Sequence, residues 1–337
     1  MARSAVPTHR DAASSRTSVA VVVGLIGVAL LLRLAAPERI AWVQTFFIVF
    51  GSLLIQALPF VLIGAFASAA IEVFVPPNAL EKLAQLPRTL QLPAAGLAGM
   101  AFPLCECGSV PVARRLAAKG LMPSAAVTFM LAAPVVNPVV IASTFVAYRG
   151  RTSLWTMVGG RFLLGLLAAI AVGWVIGGRS KDELLRPRAD DAAHDEHVAF
   201  GPPEARWRQF FVHMGIDFLF MGRYLVLGAT VAGVVQTFLP QAIIGHVAGL
   251  PVVSILVMMA LAAVLSLCSE SDAFIAASFV QFTTSAQLAF LVFGPMVDLK
   301  LLAMYTGTFD RRFVRTLVLT AAAVTLVGAM WIGVVAG

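Results

Sequence analysis

Long apolar runs with few charges are the feature of this sequence that most limits its fold. They occur near residues 18–36, 43–75, 92–113, 122–148, 152–177, 210–238, 251–282, 286–307 and 314–336. A helix needs about 20 apolar residues to cross the hydrocarbon core of a bilayer, and continuous runs differ from the alternating strands of membrane barrels. The sequence therefore predicts an all-α integral membrane protein with about nine transmembrane helices. Proline and glycine inside several runs predict kinked or broken helices.

Composition agrees with a membrane protein and argues against a nucleic-acid partner. Only 12% of the 337 residues are charged and 60% are hydrophobic, whereas about 25% are charged in a soluble domain. The net charge is +7, but the arginines lie mostly at the ends of apolar runs, where they set topology. We expect the lipid bilayer as a partner, a multi-pass location in the cell inner (plasma) membrane, and no nucleic acid.

One charged segment divides the chain into two membrane regions. Residues 179–208 are mixed in charge and rich in Ala, Pro and Asp, which is typical of a solvated linker. The predicted division is a cytoplasmic tail at 1–17, an N-terminal transmembrane helix at 18–39, a first membrane repeat at 40–178, the linker, and a second membrane repeat at 209–337. A cleaved signal sequence is the alternative for the N-terminal apolar run.

Matching residues recur in the two membrane regions in the same order and at nearly constant separation. The separations are 164, 163 and 161 residues for the pairs Gly64 and Gly228, Cys105 and Cys268, and Asn137 and Asp298. This pattern predicts two four-helix repeats with broken helices, plus the extra N-terminal helix. Transporters are commonly built from two repeats with the substrate site between them.

The relative orientation of the two repeats has two solutions. Four crossings per repeat would make them parallel, and one broken segment that turns back would make them inverted. With the N-terminus inside, the parallel model puts five arginines on the cytoplasmic side and the linker outside. They are Arg149, Arg151, Arg311, Arg312 and Arg315. The sequence leaves the orientation and the side of the linker open.

Polar residues within the apolar runs are the candidates for a substrate site, because an ionisable group in hydrocarbon usually faces a cavity or a partner. Broken helices also free backbone groups that can bind ions. The candidates cluster at equivalent depths of the two repeats: Cys105, Glu106, Cys107 and Asn137 in the first, and Cys268, Glu270, Asp272, Asp298 and Lys300 in the second. We expect them to line a site between the repeats.

The three cysteines, Cys105, Cys107 and Cys268, are the candidate metal ligands. Thiols beside carboxylates suit soft or borderline metals and thiophilic species, so a zinc-like ion or trivalent arsenic could pass. The C-x-C spacing without a nearby His is not that of a closed structural zinc site. Packing of small apolar side chains is the alternative role for the cysteines.

Other chemistry has little support in the sequence. It contains no nucleotide-binding or hydrolase motif, so we expect no enzyme activity, no cofactor, and no ATP-driven pump within this chain. A thiol-disulfide oxidoreductase using Cys105 and Cys107, and a non-transporting subunit of a larger permease complex, are the alternatives. Asp217 and Arg223, near the start of the second repeat, are interpreted as a charge pair that supports packing or as a proton step.

Two segments resemble those of a known family. They are 103-PLCECGSVPVARRLAAKGLMPSAAVTFMLAAPVVNPVVIAS-143 and 266-SLCSESDAFIAASF-279. The family that they resemble is the predicted-permease superfamily that includes the ArsP-like organoarsenical efflux permeases. The similarity covers roughly residues 45–335, with P-x-C-x-C-G as the hallmark. It implies a permease, and in the arsenical members it implies membrane-embedded thiols that pass the substrate. Glu106 stands where a small polar residue is typical, and Arg114 and Arg115 follow, which is similar to a branch described as one subunit of a two-component permease complex. A second membrane subunit is therefore an implied partner, and arsenical specificity does not follow.

Overall fold

The computed structural model describes residues 41–75, 87–101, 104–177, 203–238 and 251–336, and these form helices and no strand. The predicted all-α membrane class is confirmed. The tail at 1–17, the helix at 18–39 and most of the linker at 179–208 lie outside the described residues. The helices are α1 Ala41–Phe74, α2 Arg88–Ala98, α3 Glu106–Ala118, α4 Pro123–Val136, α5 Pro138–Ala147, α6 Leu154–Ile176, α7 Pro203–Phe238, α8 Pro251–Leu265, α9 Asp272–Ser278, α10 Thr284–Phe293, α11 Leu299–Thr308 and α12 Arg311–Ala336.

Five of the described helical segments are long and apolar enough to cross a membrane. They are Trp42–Phe74, Pro123–Ala147, Leu154–Ile176, Arg206–Phe238 and Arg311–Val335. The segment Pro123–Ala147 is α4 and α5 joined at Asn137, and α10 with α11 forms a similar broken pair. Large apolar side chains such as Ile55, Leu163 and Leu319 cover the outer surface, as expected for helices that contact lipid.

The long helices α1 and α7 run antiparallel and define the two ends of the molecule. The rings of Phe74 and Trp207 lie 5.7 Å apart at one end, which we call the linker end. The rings of Trp42 and Phe238 lie 6.1 Å apart at the other, which we call the far end. Since α1 ends at the linker end, α7 begins there.

Helices α3, α4 and α6 also meet at the linker end. Lys119, just after α3, donates to the backbone carbonyl of Glu72 near the end of α1. Helix α4 starts a few residues later, and Gly173 near the end of α6 lies against the carbonyl of Ser124. It follows that α4 and α5 together run to the far end and that α6 returns.

Helices α2 and α3 form a hairpin that enters and leaves at the linker end, which we call the first hairpin. Arg88 at the start of α2 lies over the Trp174 ring near the end of α6. Gly99, just after α2, lies against Ala133, and α3 then starts at Glu106 and runs back. The run 92–113, counted as a span from the sequence, therefore turns back inside the bundle.

Helices α8 and α9 form the second hairpin, which enters and leaves at the far end. Ala262 near the end of α8 lies against Gly294, just after α10. The carbonyl of Ala277 at the end of α9 accepts a hydrogen bond from Arg151, just beyond α5. The start of α10 is at the same end, because the Tyr148 hydroxyl is bonded to Gln287 at 2.8 Å.

The described half from α1 to α6 and the half from α7 to α12 thus have the same helix order and opposite directions. Each half makes three crossings and contributes one hairpin. This is the alternative in which one broken segment of each repeat turns back without crossing. Arg149 and Arg151 lie at the far end, whereas Arg311 and Arg312 begin α12 at the linker end. The parallel arrangement, with these arginines on one side, is therefore not the one observed.

Candidate functional site

The tips of the two hairpins meet inside the protein. The first tip is Cys105 with Glu106 at the start of α3, and the second is the stretch from Cys268 to Ser271 before α9. Ser269, just before α9, donates to Glu106 Oε2, at the start of α3, over 3.2 Å. Cys105 precedes α3 and is a close side-chain neighbour of Cys268 from the second tip. Because helix α3 belongs to one half and the second tip to the other, the contact joins the two halves.

A buried ion cluster lies beside this contact. The Lys300 ammonium on α11 lies 3.7 Å from Glu106 Oε1 and 3.8 Å from Asp298 Oδ2. All three side chains are 1% exposed. Asp298 also caps α11, since its Oδ1 accepts a hydrogen bond from the Leu301 amide at 2.6 Å. The first half therefore supplies one carboxylate of the cluster, and the second half supplies the other carboxylate and the cation.

A second buried ion pair holds the start of α9. Arg161 on α6 is fully buried and donates to both carboxylate oxygens of Asp272, at 2.9 and 2.8 Å. It also donates to the Ser269 carbonyl and the Thr144 hydroxyl. This fork-shaped geometry gives strong charge-assisted bonding, so Asp272 is engaged in positioning the second hairpin.

The three thiols are free, buried and adjacent. Cys105 has side-chain interactions with Cys107 and Cys268, and Cys268 interacts with Glu270 as well. Glu270 is half-buried, and its Oε2 has no hydrogen-bond partner among the described residues. In the part of the chain that the structure describes, no group of three His, Cys, Asp or Glu side chains is arranged as a metal site.

The centre of the protein has more acidic than basic groups. Arg161 compensates Asp272, and Lys300 is shared between Glu106 and Asp298, which leaves Glu270 without a matched cation among the described central residues. Taking charges out of water is costly unless they are paired. If all these carboxylates are ionised, the centre favours cations over anions.

The two helix breaks that follow the hairpins use their polar residues as caps. Asn137 joins α4 to α5 and accepts a hydrogen bond from the Val139 amide at 2.9 Å. Asp298 does the same for α11, at the equivalent position of the second half. Pro138 starts α5 without needing a donor, which explains why the break falls there.

Comparison with known proteins identifies the family. A family model described as a predicted permease matches residues 43–334. The chain belongs to this predicted permease family. The family is one of transporters rather than enzymes.

Two relatives of this predicted permease are similar along most of their length. The UPF0718 protein YcgR of Bacillus subtilis (strain 168) is 39% identical over 284 residues, which are 84% of this chain and 95% of the relative. A protein of Streptococcus mutans serotype c (strain ATCC 700610 / UA159), named "Putative two-component membrane permease complex subunit", is 34% identical over 290 residues, 85% and 94% of the two chains. No solved structure matches. The resemblance predicted from the sequence is confirmed.

The structure brings together most of the side chains that the sequence singled out in this predicted permease. They are Cys105, Glu106, Cys107, Cys268, Glu270, Asp298 and Lys300. Asn137 lies at the start of α5, which packs against α9, and Asp272 faces Arg161. Their role as substrate ligands stays a prediction.

Sequence reasoning missed Arg161 and misassigned the partner of Asp217. An arginine inside the run 152–177 was the available signal for the first. Asp217 pairs with Arg115 of the first half, at 3.3 Å, while Arg223 stacks on Phe220. The predicted pair of Asp217 and Arg223 is wrong, because residues six apart do not share a helix face.

Proposed function

We propose that this chain is a permease that moves a small cation, a soft metal or a trivalent metalloid species across the inner (plasma) membrane. The site lies between two inverted repeats and is lined by thiols and carboxylates. The observation that carries the proposal is the meeting of two hairpin tips, one from each half, at Glu106 and Ser269. Transporter sites are commonly found at such a repeat interface, where broken helices line a cavity.

The repeat proposal is supported by the equivalent places of matched residues. Asn137 and Asp298, 161 apart, both cap the helix after a break. Cys105 and Cys268 stand at the two hairpin tips. Because the halves run in opposite directions, a two-fold axis in the membrane plane would relate them.

The basic residues support an orientation with the linker end in the cytoplasm. The described basic residues near the linker end are Arg88, Arg114, Arg115, Lys119, Arg206, Arg208, Arg311, Arg312 and Arg315, against Arg149 and Arg151 at the far end. Cytoplasmic segments of membrane proteins carry an excess of Lys and Arg. The linker at 179–208 then lies in the cytoplasm, and the far end faces outside.

The proposed mechanism is alternating access of the central site. The first hairpin packs on α1 next to its tip, with Gly64 against Gly108, and at the linker end, where Lys119 donates to the carbonyls of Glu72 and Val75. Glu270 and Ser271 of the second tip are partly exposed. The arrangement supports a state that is closed to the cytoplasm and opens outward, and rocking of one half against the other would reverse it.

Retention of metal by cells tests the proposal. Wild type, Cys105→Ser/Cys107→Ser and Glu106→Gln are expressed at matched levels in a host without its own efflux systems, with Ser278→Ala as control because its hydroxyl bonds only its own helix. Cells are exposed to trivalent methylarsenical or, separately, to zinc, and the arsenic or zinc that the cells retain is measured by mass spectrometry. We expect wild type and control to change retention of one species relative to empty cells, and the site variants to lose that effect. Retention equal to that of empty cells for both species would contradict a soft-metal permease.

A second candidate is that the chain acts as one subunit of a two-component permease. The name of the Streptococcus mutans relative supports it. Transport would then need a second membrane protein that co-purifies with this chain. Purification of the tagged chain from its native membrane tests this: a stoichiometric second membrane protein supports the subunit role, and a homogeneous single chain contradicts it.

A further inference from the structure

Lys300 has an unusual environment for a lysine within the membrane region. Its ammonium lies next to the carboxylates of Glu106 and Asp298, and the thiols of Cys107 and Cys268 are close enough to contribute to its electrostatic environment. The ammonium therefore lies between one carboxylate of each half, with one thiol of each half farther into the same buried region. Lysine carries a compact charge on a flexible four-carbon stem, so the ammonium can move while the backbone stays in place.

The two carboxylates are held by one oxygen and present the other to the ammonium. Glu106 uses Oε2 for Ser269 and Asp298 uses Oδ1 for the Leu301 amide. Glu106 Oε1 and Asp298 Oδ2 are buried and have no hydrogen-bond partner among the described residues. Their distances to Lys300 Nζ, 3.7 and 3.8 Å, exceed the usual range for a hydrogen bond of this type.

We propose that Lys300 is a tethered counter-ion in a cation site, and that a soft divalent cation of the Zn²⁺ class takes its place when the ammonium moves away. The ligands are the carboxylates of Glu106 and Asp298 and the thiols of Cys107 and Cys268. This inference rests on the proposed function and deepens it by naming the substrate class. Two carboxylates match the charge of a divalent ion, and the mixed oxygen and sulfur donors suit a borderline or soft metal. Thiols bind such an ion as thiolates, so coordination by Cys107 and Cys268 releases their protons to solvent.

The resting arrangement fits a site that is blocked by its own lysine. The two carboxylates hold the ammonium between them, and the described residues contain no group of three ligands arranged around an open point. The wild type should therefore bind the ion weakly and release it readily. Removal of the ammonium should turn the cluster into a high-affinity site.

Titration of purified full-length protein with Zn²⁺ tests this directly. Wild type, Lys300→Met and Lys300→Met/Glu106→Gln are compared by isothermal titration calorimetry, with Mg²⁺ as a hard-ion probe. Lys119→Met is the matched control, since that lysine lies at the linker end and donates to backbone carbonyls. We expect Lys300→Met to bind Zn²⁺ at least about tenfold more tightly than wild type. The double variant and Lys119→Met should stay near the wild-type affinity, and Mg²⁺ should show no such gain.

The proposal can be tested even if one of the variants does not fold. If Lys300→Met unfolds on its own, rescue of its thermal stability by Zn²⁺ supports the proposal. Three results would overturn the proposal. The first is a folded Lys300→Met variant with unchanged Zn²⁺ affinity. The second is a Lys300→Met variant that Zn²⁺ does not stabilise although the double variant folds, and the third is a double variant that does not fold. The outcome is separable from the transport assay, because Lys300→Met can gain Zn²⁺ affinity even if wild type moves neither zinc nor methylarsenical.

Discussion

The two hairpins occupy equivalent places in the two halves, but only the first is packed tightly against the long helix of its own half. A Cβ on Gly64 of α1 would overlap the backbone of Gly108 in α3. Gly228, the equivalent residue of α7, lies against Lys300 on α11 instead of against the second hairpin. Ser271, at the position equivalent to Gly108, accepts a hydrogen bond from Gln56 of the opposite half, at 3.3 Å.

The two halves, which have the same helix order, therefore adopt different conformations in one structure. The first hairpin packs closely on α1, whereas the second packs on α10 of its own half, accepts hydrogen bonds from Gln236 of α7 and is joined to the first half by polar bonds. An inverted-repeat transporter that faces one side has this kind of asymmetry. The contacts unique to each hairpin can therefore be removed separately, and the effects on stability compared.

The largest effect is expected for the ion pair that holds the second hairpin. Arg161→Met leaves the Asp272 carboxylate buried without its partner, which should lower the free energy of unfolding by about 3–5 kcal/mol. Thermal unfolding of the detergent-solubilised protein measures this. Arg161→Met/Asp272→Asn should recover most of the loss, and a double variant as unstable as the single one would show that charge pairing is not the cause.

Close packing of the first hairpin should give the next largest effect. Gly64→Ala forces α1 and α3 apart and should destabilise the protein by about 1–3 kcal/mol. Gly51→Ala on the same helix is the control, because nothing lies within 4 Å of its added Cβ, and it should be neutral or slightly stabilising. Equal melting temperatures for both variants would contradict the tight first interface.

The bond between the two tips should contribute less. Ser269→Ala removes the donor to Glu106 and should cost about 1.5 kcal/mol, since the acceptor is a charged group in a buried place. Ser109→Ala serves as comparison, because that hydroxyl donates only to a backbone carbonyl of its own helix. If thermal unfolding showed the same small loss of stability for both serine variants, the tips would not be coupled through Glu106.

The smallest effect is expected at the exposed side of the second tip. Ser271→Ala removes the 3.3 Å hydrogen bond from Gln56 and the local hydrogen bond that the Ser271 hydroxyl donates to the Cys268 carbonyl. Both bonds are only partly buried. The free energy of unfolding, measured by thermal unfolding, should fall by about 0.5 kcal/mol or less. A loss as large as that of Gly64→Ala would mean that the second hairpin is sealed as tightly as the first.

The helix content and the clustering of the polar residues could be predicted from the sequence, because both depend on local patterns. The apolar runs have the length of spans, and the polar residues interrupt them at matched positions. Asn137 and Asp298 are examples, since each is a capping residue next to a break. The sequence also places the three cysteines within those runs, and the structure buries them at the hairpin tips.

The hairpins could not be predicted, because their turn depends on contacts between distant residues. The runs 92–113 and 251–282 have the composition of crossing helices. What turns them back is packing of each tip against the other half, as between Glu106 and Ser269, which are 163 residues apart. Arg161 was missed for a related reason: its partner Asp272 lies 111 residues away.

The most direct test of the meeting tips is a cross-link between Cys105 and Cys268 in native membranes. A protease site is inserted in the linker of the full-length Cys107→Ser variant, which leaves only these two cysteines. Membranes are oxidised with copper phenanthroline, the protein is cleaved, and its halves are separated on a gel without reductant. We predict that the halves stay joined as one band that separates after reduction. Halves that separate without reduction would contradict a site formed between the two hairpin tips.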